Sequence, residues 1–393
     1  MMQRVLDRPD LDAVPIIAEA ARPMRGRVWA IGPADRVSAE IVRPWLARAF
    51  PGLRYAAALI GYGSELLGFD DEMSRDHNWG PRIWLYLSEA DFAAKADEVV
   101  ARFAADAPET FLDVPVGFFN RPHLTTNRPG ERADPRHGLE VRTLEHTLRG
   151  LAALAPDEPR DNIGWLALAE QRLLALTAGA VFHDDDGRLT ALRQRLAWFP
   201  RDVWLYKLAC QWRRVAEEQA FVGRAGLVGD DLGSRVIAAR LARDVMRMAF
   251  LIERRYAPYP KWFGTAFARL PCAPTLSPLL DRALAAPDWR GREAALAEAY
   301  LALARLHQSR GLSGAFEPRL GPYFGRPFTV INAEEIVAAI RAEIADPAVA
   351  ALPVIGSLDQ ITDSTPVIEA PHRARRAMEG LFDDGEAGAF EQA

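Results

Sequence analysis

The sequence predicts an α+β protein, a mixed-sheet domain followed by an all-α helical domain, and three observations carry that prediction. Two short apolar runs, residues 55–60 and 83–87, have the length of strands and flank a turn-rich segment. Beyond Pro156 the pattern changes to long stretches of helical period, which puts a domain boundary near that proline. The chain has 393 residues, 49% hydrophobic and 26% charged, the composition of a globular protein with apolar material for two or three cores.

Residues 1–32 read as an N-terminal extension: Pro9, Pro15 and Pro23 interrupt it, so only short elements are expected. The sheet domain is read over 33–155. From Asp35 to Phe50 the residues Val37, Ile41, Trp45, Leu46 and Phe50 recur at helical spacing, and Pro51-Gly52 ends the helix. A buried strand over 55–60 follows, then the loop 61–82, a second strand over 83–87 and a helix over 91–103. Proline, asparagine and glycine make 113–131 a flap or an insertion. Gly138 to Arg142 reads as a short strand and 144–154 as a helix.

The helical domain is read over 156–380, with helices at 163–182, 189–199, 203–221, 232–256, 293–308 and 334–344. Within the fourth, Ile237, Leu241, Val245, Met248 and Ile252 recur at steps of three and four and form one buried face. The acidic, glycine-containing tail 383–393 is expected to be disordered.

Charge and cysteine content narrow the function. A formal net charge of −5 without a basic stripe makes nucleic acid an unlikely partner and a small molecule the easier one. Cys210 and Cys272 have no neighbours at metal-ligand spacing and read as reduced core thiols. Arg4, Asp7, Arg8 and Asp10 interrupt any apolar leader, and no apolar run reaches the roughly 18 residues of a membrane span, so a cytoplasmic protein without a membrane partner is expected. Lysine occurs only at 95, 207 and 261, which singles out each one.

The segment GYGSELLGFDDEMSRDHNWGPR, residues 61–82, holds the most suggestive chemistry. Gly61 and Gly63 let the backbone approach an anion, and the Ser64 hydroxyl suits a phosphate. Asp76 lies where the chain re-enters the sheet, Arg82 suits either a phosphate or a nearby carboxylate, and Glu140 sits on the next strand. Trp84 reads as core, as does Trp79; His77 falls on the opposite strand face from its neighbours.

Gly63-Ser64, a spacer of about a dozen residues and then Asp76 resemble the signature of the nucleotidyltransferase superfamily, whose second carboxylate falls here on Asn78. The stretches beginning GAVFHDDDG, FVGRAGLVGDDLGSR and RRYAPYPKWFGTAF, together with DHNWGPR, resemble the bacterial family catalogued as domain of unknown function 4037 (DUF4037). That resemblance covers most of residues 35–365 and implies a nucleotidyltransferase-type domain joined to a helical one.

It further implies Mg²⁺ held by Asp76, Asn78 and Glu140, with Glu140 also the candidate third carboxylate and base. A nucleoside triphosphate would be the substrate, its phosphates on Gly63, Ser64 and Arg82, with Lys261 and Tyr259 of the helical domain contributing, and a hydroxyl group the acceptor. Asn78 removes one negative charge from the metal site, so a catalytically degenerate nucleotide-binding or partner-binding module is the alternative. Elsewhere, His183-Asp184-Asp185-Asp186-Gly187 lacks calcium-loop spacing and reads as a helix-to-helix turn, and the basic run 372–376 reads as a solvated helix face.

Overall fold

The computed structural model describes residues 31–69, 82–108, 110–111, 114–115, 132–133, 137–155 and 160–383. Nearly all of the extension 1–32, most of 113–131 and the tail from 384 lie outside these. The described residues form two compact units, one holding residues up to 159 together with 172–197, the other 160–171 together with 198 onward.

The first unit opens with α1 (Ile31–Val37), a π-helical turn and α2 (Arg43–Ala49), followed by strand β1 (Ala56–Leu59). After β2 (Ile83–Leu87), helix α3 (Glu89–Asp106) leads to the two-residue strands β3 (Thr110–Phe111), β4 (Val114–Pro115) and β5 (Arg132–Ala133), then to β6 (Leu139–Thr143) and α4 (Leu144–Ala152). Helix α5 (Asn162–Leu166) belongs to the second unit; α6 (Glu170–Thr177) precedes strand β7 (Ala180–Asp184) and α7 (Arg188–Arg195) of the first.

The main sheet runs β5-β6-β2-β1-β7. Strand β2 pairs antiparallel with β1 and parallel with β6. Parallel neighbours need a crossover, and α3 is the helix available for it. Ser88 starts that helix by accepting a hydrogen bond from the Asp91 amide at 3.1 Å. Alternation sends Ala57, Ile83, Leu85, Leu139 and Val141 to one face, where they pack with Val37, Val42, Trp45 and Leu46 of the N-terminal helices and Ala96, Val99 and Phe103 of α3. Each fully buried large aliphatic side chain there contributes about 1.5–3 kcal/mol. The other face carries Trp84, Tyr86, Glu140 and Arg142, directly paired across β2 and β6 as Trp84 with Glu140 and Tyr86 with Arg142.

One expected helix, 163–182, is three elements. The chain breaks between α5 and α6, and Gly179, at φ +73°, turns it into β7, which pairs antiparallel with β1. Apolar periodicity missed this because β7 is a half-buried edge strand whose partner lies about 120 residues earlier. His183 and the three aspartates after it thus end a strand. Asp185 accepts from the Tyr55 amide at 2.9 Å and faces His183 Nε2 at 2.9 Å, so the segment ties down the sheet edge.

The second unit continues with α8 (Arg201–Glu218), α9 (Phe221–Leu227), α10 (Asp231–Ile252), α11 (Pro260–Phe267), α12 (Ala273–Ala285) and α13 (Trp289–Ser309). An antiparallel hairpin, β8 (Leu320–Tyr323) and β9 (Arg326–Ile331), follows before α14 (Ala333–Arg341), α15 (Pro347–Ala350), α16 (Leu358–Ile361), α17 (Thr365–Ile368) and α18 (Pro371–Phe382). The α+β class holds, but this unit is not purely helical. Leu241, Val245, Met248 and Ile252 of α10 are buried, as their spacing requires, and Asp230 caps α10 through the Gly233 amide at 2.7 Å.

Candidate functional site

The turn that follows β1 is held from several sides. Gly61 has φ +99° and donates its amide to the Ala175 carbonyl at 2.7 Å. A Cβ there would lie 2.3 Å from the Trp84 ring, so only glycine lets the chain cross the indole. Trp84 is therefore core beneath the turn. Gly63 has φ +132° and ψ 144°, a backbone region essentially confined to glycine. Ser64 then opens a short 3₁₀ segment, Ser64–Leu67, and its carbonyl accepts the Phe69 amide at 3.0 Å.

Arg82 lies at the entry to β2, 4% exposed. Its guanidinium donates to the Tyr62 carbonyl at 2.8 Å and to the carboxylate of Glu65, itself 1% exposed. Of the two partners open to Arg82 in the sequence, phosphate or carboxylate, its described neighbour is the carboxylate. Arg82 Nε and Glu65 Oε2 have no hydrogen-bond partner among the described residues. A second arginine, Arg172 of α6, donates to the Tyr62 hydroxyl and stands 5.6 Å from that ring's centroid. Backbone and side chain of Tyr62 are thus gripped by two arginines.

Glu140, on β6, accepts a hydrogen bond from Arg142, whose guanidinium lies 3.8 Å over the Trp84 ring. Its hard, partly exposed carboxylate has the right donor chemistry for Mg²⁺, though Arg142 competes for one oxygen. Among the described residues no group of three or more His, Cys, Asp or Glu side chains gathers as a metal cluster. Asp76 and Asn78, the other expected ligands, lie outside the described residues, with His77, Trp79 and the acidic run 70–72.

Tyr259 and Lys261 belong to the second unit. Tyr259 is the N-cap residue of α11, and Lys261 is exposed with Nζ 4.7 Å from the Trp262 ring centroid. Tyr256 is packing: it stacks on Trp198 at 4.9 Å and meets Phe199 edge-on, and burial pushes its hydroxyl pKa well up.

Lys207 is the lysine that sequence reading passed over. It is fully buried, with Nζ 3.0 Å from Ser357 Oγ, 3.1 Å from Glu170 and 3.9 Å from Asp359, over the Phe199 ring. Glu170 also accepts the Ala257 amide at 3.0 Å, so this cluster fastens α8, α16 and the segment before α11 together. Burial, with Glu170 close by, raises the Asp359 pKa. Lysine scarcity flagged the position, but its two carboxylates come from distant segments that nothing in the sequence pairs with it. Glu65 and Arg172 were likewise unmarked: one stood inside the quoted loop without a partner, the other in an ordinary helical pattern.

Residues 165–263 match the family model described as Domain of unknown function (DUF4037). That range takes in the stretches from Gly179 to Trp212 and from Phe221 to Arg235. Among solved structures the chain is similar to a nucleotidyltransferase-like protein from Exiguobacterium sibiricum 255-15, with 13% sequence identity, 73% of this chain and 82% of that chain covered, and a TM-score of 0.32. No curated protein matches the chain.

Proposed function

We propose that this chain, with its DUF4037 match over residues 165–263, is a nucleotidyltransferase-type protein that holds a nucleoside triphosphate at the Gly61–Ser64 turn. With Mg²⁺ it would move a nucleoside monophosphate, AMP being the favoured one, to a hydroxyl of a small molecule or protein, the new oxygen–phosphorus bond replacing the α–β phosphoanhydride as pyrophosphate leaves. One observation carries the reading: two glycines with positive φ and a serine follow the interior strand β1, and Asp76 stands a few residues before the neighbouring strand β2 in the sequence.

In this reading the Gly63 amide and the Ser64 hydroxyl bind a terminal phosphate, because donors at a glycine turn can approach an anion without a Cβ between them. Asp76, Asn78 and Glu140 would hold the cation, which supplies charge neutralisation on the phosphates. These residues bind and orient; holding the acceptor hydroxyl in line with the α-phosphorus accounts for most of the rate in such chemistry.

A second reading, binding without transfer, draws on Asn78 in place of a carboxylate and on Arg142 against Glu140. The two separate when the protein is incubated with Mg²⁺, labelled ATP, GTP, CTP or UTP and a cell extract. Label transfer that disappears in Asp76→Ala supports the transferase; saturable triphosphate binding with no transfer supports the module. No binding of any triphosphate overturns the transferase and the nucleotide-binding module alike.

A further inference from the structure

We infer that Arg82 is a positioning residue for the anion-binding turn, acting through the Tyr62 carbonyl and Glu65 and never touching the phosphate itself. The inference rests on the proposed phosphate role of Gly61–Ser64 and adds the device that gives the turn its shape.

A turn containing two glycines is intrinsically loose, since glycine loses more conformational freedom on ordering than any other residue. Something must hold Gly61 and Gly63 at φ +99° and +132° if the Gly63 amide is to meet a ligand ready-made. Gly61 is held by its bond to Ala175, at 2.7 Å, and by the Trp84 ring. The peptide between the glycines is held by Arg82, whose Nη2 donates to the Tyr62 carbonyl at 2.8 Å and also to the carboxylate of Glu65 just beyond Ser64. The arginine therefore spans the turn, with one acceptor on each side of Gly63 and Ser64.

Burial makes this an exacting arrangement. Arg82 and Glu65 are 4% and 1% exposed, so neither charge can be given up to solvent, and separating them would strand both. A guanidinium 4% exposed, with Nη2 given to two acceptors, offers little surface to a phosphate. Both bonds leave one nitrogen, Nη2, which the rigid guanidinium plane holds in place; a lysine ammonium on its flexible stem lacks that preorganisation.

The test compares Arg82→Lys and Glu65→Gln with the native chain in two measurements. The first is Mg-ATP affinity by calorimetry; the second is hydrogen exchange of peptides covering 60–68 and, as a control, β6. Positioning predicts that Arg82→Lys weakens Mg-ATP binding at least about tenfold, the loss expected for one buried charge-assisted hydrogen bond. It also predicts faster exchange in 60–68 with β6 protection kept. Glu65→Gln, which keeps an acceptor but leaves the buried Arg82 charge uncompensated, should also speed exchange in 60–68 with β6 protection kept. Affinity lost while 60–68 keeps its protection would mean that Arg82 contacts the phosphate, and would overturn the inference. Loss of protection throughout the sheet in both variants would show an ordinary core ion pair and overturn it equally. If the native chain binds no triphosphate, the proposed function fails, while the exchange measurement still decides whether Arg82 fixes the turn.

Discussion

A Cβ on residue 179 would lie 1.9 Å from the carbonyl oxygen of Leu59, so the turn at Gly179 and the arrival of β7 beside β1 require the same residue. Gly179→Ala is expected to destabilise the sheet unit by about 2 kcal/mol or more, combining the left-handed backbone penalty with a contact that only backbone movement relieves. Urea unfolding followed by hydrogen exchange on β1 and β7 measures it; an alanine variant as stable as the native chain would contradict the pairing.

The buried Lys207 cluster sets a second expectation. Lys207→Met leaves Glu170 and Asp359 without their cation and should cost about 3–5 kcal/mol at neutral pH. Lys207→Met with Glu170→Gln and Asp359→Asn should recover much of that loss, since no uncompensated charge remains. Guanidinium unfolding of the single and triple variants distinguishes charge stranding from lost packing.

His307 supplies a pH dependence. Its ring is fully buried, bonded through Nε2 to Ser313 at 3.1 Å, and burial lowers its pKa to about 4. The unfolded imidazole takes up a proton near its ordinary value of about 6.5, so between these values the unfolded state binds more protons and stability falls as pH falls. The loss begins near pH 6.5 and is complete near pH 4, reaching at most about 3 kcal/mol. In His307→Gln this component should vanish, which unfolding midpoints at pH 7.5 and 5 will reveal.

Asn78 separates a weakened enzyme from a binding module. If the transferase reading is right, Asn78→Asp restores a charged oxygen to the cation site and should lower the Mg²⁺ concentration needed for label transfer at least about tenfold. Unchanged Mg²⁺ dependence would argue that this position does not reach the metal.

Tyr62→Phe tests the other grip on the turn. It removes the hydroxyl that Arg172 holds but leaves the carbonyl that Arg82 holds. Exchange in 60–68 should rise less than in Arg82→Lys; an equal or larger rise would shift the anchoring role to Arg172.

Local chemistry determined a good deal of this molecule. The unbroken apolarity of 83–87, the period of 232–256 and the glycines at 61 and 63 each pointed to an outcome that nearby residues enforce, because a buried strand, an amphipathic helix and a positive φ follow from short-range sterics and burial. Tertiary structure alone decided what those elements meet. It brought β7 to β1, set Arg82 on Glu65, bound Glu140 to Arg142, and enclosed Lys207 between carboxylates from distant segments. The reason is physical: a buried charge must find its counterion wherever folding delivers one, and that partner leaves no periodic trace in the chain.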